Sequence, residues 1–88
     1  MILIELEDRT VFLPESDIRS VTVKYDSEFP DVDKEEKLNV ITFESSLGVV
    51  LFNICFQENS SARKAYRKIV ETMKSEESIK ALDFKRYK

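Results

Sequence analysis

The chain is 88 residues long, 42% hydrophobic and 35% charged, with no histidine, one glycine and a net charge of −3. That length gives a single domain, and the absence of histidine removes the commonest general base, the Ser–His and Cys–His nucleophile pairs and most zinc sites. The charge is unevenly spread: residues 1–62 hold five cations and thirteen anions, residues 63–88 nine cations and four anions. Such asymmetry marks an electrostatic partner, helps two copies pair, or reflects sheet and helix surfaces of different composition.

The opening stretch MILIELEDRTVFLP reads as a β-hairpin. Ile2, Ile4 and Leu6 alternate with Leu3 and Glu5, and Val11, Phe12 and Leu13 return after the polar turn Glu7–Asp8–Arg9. Pro14 has no amide hydrogen for a ladder, so it closes the second strand or sits at an edge. A turn through Glu15, Ser16 and Asp17 then leads to a third strand, with Val21, Val23 and Tyr25 on one face and Thr22, Lys24 and Asp26 on the other.

Residues 26–37 break the rhythm. They hold six carboxylates, Pro30 and only two large apolar side chains, Phe29 and Val32, and read as a mobile acidic loop. Phe29 and Val32 are candidate contacts for a partner on which the loop folds as it binds. Asp31, Asp33 and Glu35 have the alternation of a calcium loop but lack its glycine and its bidentate glutamate, so no metal is expected.

LNVITFESSLGVVLFNICFQ is the clearest hairpin, with strands at about 38–44 and 49–56 around a turn whose Gly48 can adopt positive φ. Val50, Phe52, Ile54 and Phe56 fall on one face, and Val49, Leu51, Asn53 and Cys55 on the other. One helix covers only one of these faces, so the second calls for sheet curvature or another molecule. The lone Cys55 reads as a reduced, buried core thiol rather than a nucleophile, which favours a cytoplasmic chain. The longest apolar run, residues 47–56, is about half of a membrane span, and the first residues lack the basic start of a signal peptide.

ENSSARKAYRKIVETMK, residues 58–74, is a helix by its spacing: Ala62, Ala65, Tyr66, Ile69, Val70 and Met73 form one apolar stripe. Asn59, Ser60 and Ser61 are all good N-caps, and Glu71 is spaced to pair with Arg67 or Lys68. Ser75 can cap a second short helix over SEESIKALD, or the first helix runs straight through; FKRYK is then a tail or a clasp on the sheet.

The strand-to-helix passage GVVLFNICFQENSSARKAYRKIV is similar in pattern, over residues 38–74, to pleckstrin-homology-like domains, in which the last strand feeds a helix that plugs a curved sheet. That resemblance implies an architecture and carries over no site residue.

These elements give an α+β domain over 1–88: a mostly antiparallel five-stranded sheet, two hairpins flanking a middle strand, covered by one C-terminal amphipathic helix. No catalytic residues and no cofactor are expected. The leading functional expectation is a non-catalytic protein-interaction or structural module that pairs with itself. The alternative is an anion-directed binder of nucleic acid or an acidic protein, using Arg63, Lys64, Arg67, Lys68, Lys85 and Arg86, with Phe84 and Tyr87 interleaved.

Overall fold

The computed structural model describes residues 1–28 and 37–88. Phe29, Val32 and the rest of the 29–36 segment lie outside the described residues. The chain order is β1 (Ile2–Glu5), β2 (Thr10–Leu13), a 3-10 turn (Glu15–Asp17), β3 (Ser20–Glu28), β4 (Lys37–Glu44), β5 (Val50–Phe56), α1 (Asn59–Met73) and β6 (Lys80–Asp83). The expected single five-stranded sheet is instead two three-stranded sheets, β2-β1-β6 and β3-β4-β5. β1 pairs antiparallel with β2 and parallel with β6, and β3-β4-β5 is antiparallel throughout. The strand-into-helix passage of the pleckstrin-homology-like pattern is present at β5–α1. However, the chain goes on past the helix to place β6 beside β1, which that pattern does not contain.

Both sheets and the helix share one core. Ile2, Ile4, Leu13 and Leu82 come from the small sheet, Ile41, Phe43, Ile54 and Phe56 from the large one, and Ala62, Ala65 and Ile69 from α1. Ile69 and both alanines are fully buried, with Tyr66 and Met73 packed at the margin. Small side chains at 62 and 65 let the helix backbone approach the strands closely. By area, each large apolar side chain so buried contributes about 1.5–3 kcal/mol.

Two bulges set which residues face the core. In the β4–β5 pair Phe43 lies opposite Phe52 but Glu44 lies opposite Val50, so Leu51 is the extra residue. Leu51 packs against the core, whereas Val50, expected beside Phe52, turns to the outer face and is half exposed. In the β3–β4 pair Tyr25 and Asp26 together oppose Asn39, and Asp26 adopts a φ of 52°. Aspartate tolerates this left-handed backbone better than most residues. The fully buried Asn39 holds the bulge closed: its Oδ1 accepts the Asp26 amide at 3.1 Å, and its Nδ2 donates to the carbonyls of Phe56 at 3.2 Å and Gln57 at 3.4 Å. β3 therefore continues to Glu28 and β4 begins at Lys37, shortening the expected 26–37 loop from both ends.

The helix termini also differ from expectation. Glu58 occupies the N-cap position with no side-chain cap bond, and Asn59, Ser60 and Ser61 form the first turn instead. The amides of Gln57 and Glu58 donate to the Lys88 carbonyl, which ties the C-terminal segment to the start of α1. After Met73 neither a second helix nor a continuation forms. The Ser75 hydroxyl accepts the Glu77 amide at 3.2 Å in a turn, and residues 80–83 become a strand. Lys, Ala and Leu at 80–82 favour helix intrinsically, but pairing with β1 overrides that preference. Lys80, Leu82 and Phe84 point inward in alternation.

Lys80 is 4% exposed, and its row in the sheet is shared with Ile2 and Leu13. Its ammonium is held by the Glu15 carboxylate and by the Met73 carbonyl at 3.3 Å. One side chain thus joins the 3-10 turn, the end of α1 and β6. Among the described residues no helix is long and apolar enough to cross a membrane.

Two stability measurements follow. Replacing Asn39 by Leu keeps its size but strands the Asp26 amide, and denaturant unfolding should show a loss of about 2–3 kcal/mol. Glu15→Ala leaves the Lys80 ammonium buried beside one carbonyl and should cost about 1–3 kcal/mol; adding Lys80→Met should restore most of that loss, because the penalty lies in the unpaired charge. Equal losses in the single and double variants would show that packing, not charge, holds this junction.

Candidate functional site

The apolar stripe of α1 faces the sheets, so its charged side faces water. Arg63, Lys64, Arg67 and Lys68 are all exposed. Glu71 pairs with neither Arg67 nor Lys68, contrary to the spacing. The Arg63 guanidinium lies 5.5 Å from the centroid of the Tyr25 ring, at cation–π distance. Arg63 is therefore held toward β3.

A second cationic group forms where the chain leaves β6. Lys68 of α1, Asp83, Lys85, Arg86 and Tyr87 line a cleft of about 450 Å³. The turn carrying the two cations is fixed by the Tyr87 amide donating to the Phe84 carbonyl at 3.1 Å, and by the Lys85 amide donating to Asp83 Oδ1 at 3.0 Å. Lys85 Nζ stands 3.7 Å from Glu5 and 4.0 Å from Asp83. Among the described residues, Lys68 and Arg86 have no carboxylate within 4.0 Å. The six candidate cations thus divide. Lys68, Lys85 and Arg86 converge, Lys64 lies one helical turn before Lys68, Arg67 is exposed on the helix outside the cleft lining, and Arg63 belongs to the Tyr25 contact.

The aromatics interleaved with those cations are committed to the core. Phe84 is 2% exposed, and its ring meets Phe56 edge-on at 6.1 Å and Tyr87 at 5.1 Å. Tyr87 also lies 6.2 Å from Phe56. Phe84 presents no free face of the kind on which a nucleobase stacks, and half-buried Tyr87 packs against Phe84 and Phe56. The FKRYK segment is a clasp, not a tail.

Cys55 is exposed rather than buried. It lines a groove of about 290 Å³ between β5, the β1–β2 turn and the Phe84–Tyr87 segment. Alternation with the buried Ile54 and Phe56 leaves Asn53 and Cys55 on the outer side of an edge strand. Partial desolvation by the groove raises the thiol pKa above its ordinary value, so at neutral pH the sulfur is reachable but protonated. Among the described residues, no group of three His, Cys, Asp or Glu side chains is arranged to hold a metal ion.

The feature that the sequence reading missed is the outer face of the small sheet. Phe12, Leu3 and Ala81 stand in one row across β2, β1 and β6. Phe12 is 62% exposed, and Met1 (52%) and Ile79 (69%) continue the apolar surface at one end. The run Val11–Phe12–Leu13 carried the signal, since three successive apolar residues in a strand force one of them outward. Comparison with protein-family models, curated proteins and solved structures finds no match to this chain.

Because Cys55 is reachable but not activated, Ellman's reagent should label one thiol per native chain. The rate should still be rising above about pH 8.5, where an ordinary thiol is already half ionised. Labelling only after denaturation would contradict the exposed position. A rate that levels off near pH 7 would contradict the raised pKa.

Proposed function

We propose that this chain is a non-catalytic protein-interaction module whose partner is a second copy of itself, docked through the outer face of β2-β1-β6. The observation that carries this reading is the uncovered row Phe12–Leu3–Ala81, flanked by Met1 and Ile79. The outer face of the large sheet is more polar: it presents Thr22, Lys24, Thr42 and Asn53, with exposed Val50 at one end. Because Leu51 turns inward, the outer side of β5 is apolar at that end alone. The small sheet supplies the apolar surface instead.

The row has a shape that suits a copy of itself. Phe12 on β2 and Ala81 on β6 lie at the same level on either side of Leu3. A two-fold axis running along β1 sets each Phe12 over the other copy's Ala81, large on small, with Leu3 against Leu3. Sheets packed face to face interdigitate in this manner, and an isologous contact needs one self-complementary patch. The surface is carried on three hydrogen-bonded strands, so little order is lost on docking. Its apolar extent is on the order of a few hundred Å², which corresponds to a weak, reversible dimer.

Sedimentation velocity from about 10 μM to about 1 mM tests the reading, that being the range in which so small an interface associates. The dimer fraction should rise with concentration and disappear in Phe12→Glu, a change at an exposed position that leaves the core untouched. A wild-type chain that stays monomeric at the highest concentration overturns the proposal, as does a Phe12→Glu variant that dimerises equally well.

A further inference from the structure

We infer that the cleft formed by Lys68, Lys85 and Arg86 is a binding site for a phosphate monoester, distinct from the apolar face. The cations come from two separate elements, α1 and the turn after β6, and the fold brings them to one concavity. Among the described residues their convergence is only partly balanced by Asp83 and Glu5. Lys68 and Arg86 lack a carboxylate within 4.0 Å among the described residues, and the two contacts of Lys85 exceed normal hydrogen-bond length. Like charges gathered in a concavity with low-dielectric walls concentrate positive potential and raise the local concentration of anions.

Charge and size select the ligand class. Three cations and Asp83 leave the cleft at +2, and a phosphate monoester near neutral pH carries about −1.5 to −2. The cavity of about 450 Å³ admits a small phosphorylated molecule or a phosphorylated side chain. Arg86 supplies the planar fork that donates to two phosphate oxygens, and the lysines supply point charges. Asp83 is occupied by the Lys85 amide, so it sets the turn that presents Lys85 and Arg86. A stacking nucleic-acid surface is disfavoured, because Phe84 and Tyr87 are packed against Phe56.

Amide chemical-shift titration of the full chain tests the site. The probes are glycerol phosphate and a short phosphoserine peptide, each compared with sodium chloride at equal ionic strength. The expected result is saturable shifts confined to Lys68 and the 83–87 turn with at least one phosphate probe, lost by about tenfold or more in Lys68→Gln/Arg86→Gln. Both positions are exposed, and the unchanged spectrum elsewhere verifies the fold. Lys24→Gln, on the outer face of the large sheet, should leave binding intact. Tighter binding of glycerol phosphate identifies a free metabolite as the source; tighter binding of the peptide identifies a phosphorylated protein.

Affinity should also strengthen from pH 5 to pH 7, as the monoester takes on its second charge at a pKa of about 6. The chain has no histidine, the side chain whose ordinary pKa lies in that interval. Unsaturable shifts spread over all surface lysines, an equal response to chloride, or binding that survives the double substitution would each overturn the inference.

Discussion

The structure depends on how closely α1 can approach the strands. Ala62, Ala65 and Ile69 are fully buried, and around them gather residues from both sheets. Two three-stranded sheets of this size are marginal alone; a helix that contacts β3, β4, β5 and β6 turns them into one core. Bulkier side chains at 62 and 65 would hold the helix off the large sheet and open the space that Phe56 and Phe84 fill. The cationic side of α1 is a consequence of this seating. Its residues face water because the opposite stripe is engaged.

The return of the chain after α1 organises everything else. β6 runs parallel to β1, and a parallel neighbour requires a long crossover, here supplied by the entire β2-to-α1 portion. The strand is secured from within by Leu82 and from below by Lys80, whose ammonium reaches Glu15 and the Met73 carbonyl at the end of the helix. Placing β6 there completes a sheet whose inner face is sealed and whose outer face nothing in the chain's described residues covers. It also delivers Lys85 and Arg86 beside Lys68. Both surfaces of functional interest are therefore products of one strand.

Much of this was legible in the sequence, and the parts that were not share a cause. Period-two alternation located β1, β3 and β5, the hairpin turns located β2 and β4 as their partners, and the stripe from Ala62 to Met73 located α1. β6 was hidden because its inward positions are Lys80, Leu82 and Phe84. A lysine in the buried register erases the alternation, and Lys-Ala-Leu reads as helix. Val50 and Leu51 were placed on the wrong faces because a bulge is a register event between two strands and leaves little local composition signal. Cys55 was misjudged because its exposure is set by which strand lies at the sheet edge. The convergence of Lys68 with Lys85 and Arg86 could not be read at all, since it depends on the direction taken after Ser75.

The two proposed surfaces differ in the physics that would hold a partner, and this separates them experimentally and functionally. The face of Phe12, Leu3 and Ala81 works by removing apolar area from water, so its association should persist at high salt. The cleft of Lys68, Lys85 and Arg86 works through charges near bulk solvent, where a Debye length of about 8 Å at physiological ionic strength weakens attraction from any distance. They meet at β6: Ala81 looks out from the middle of the strand, and Asp83 closes its end and positions the cationic turn. A second copy seated over Ala81 would lie next to that turn, restricting access to it and lowering the local dielectric. Any such restriction would act on both protomers alike, because a two-fold contact presents the same edge twice. Coupling between self-association and anion binding thus requires no change in fold, only the shared strand.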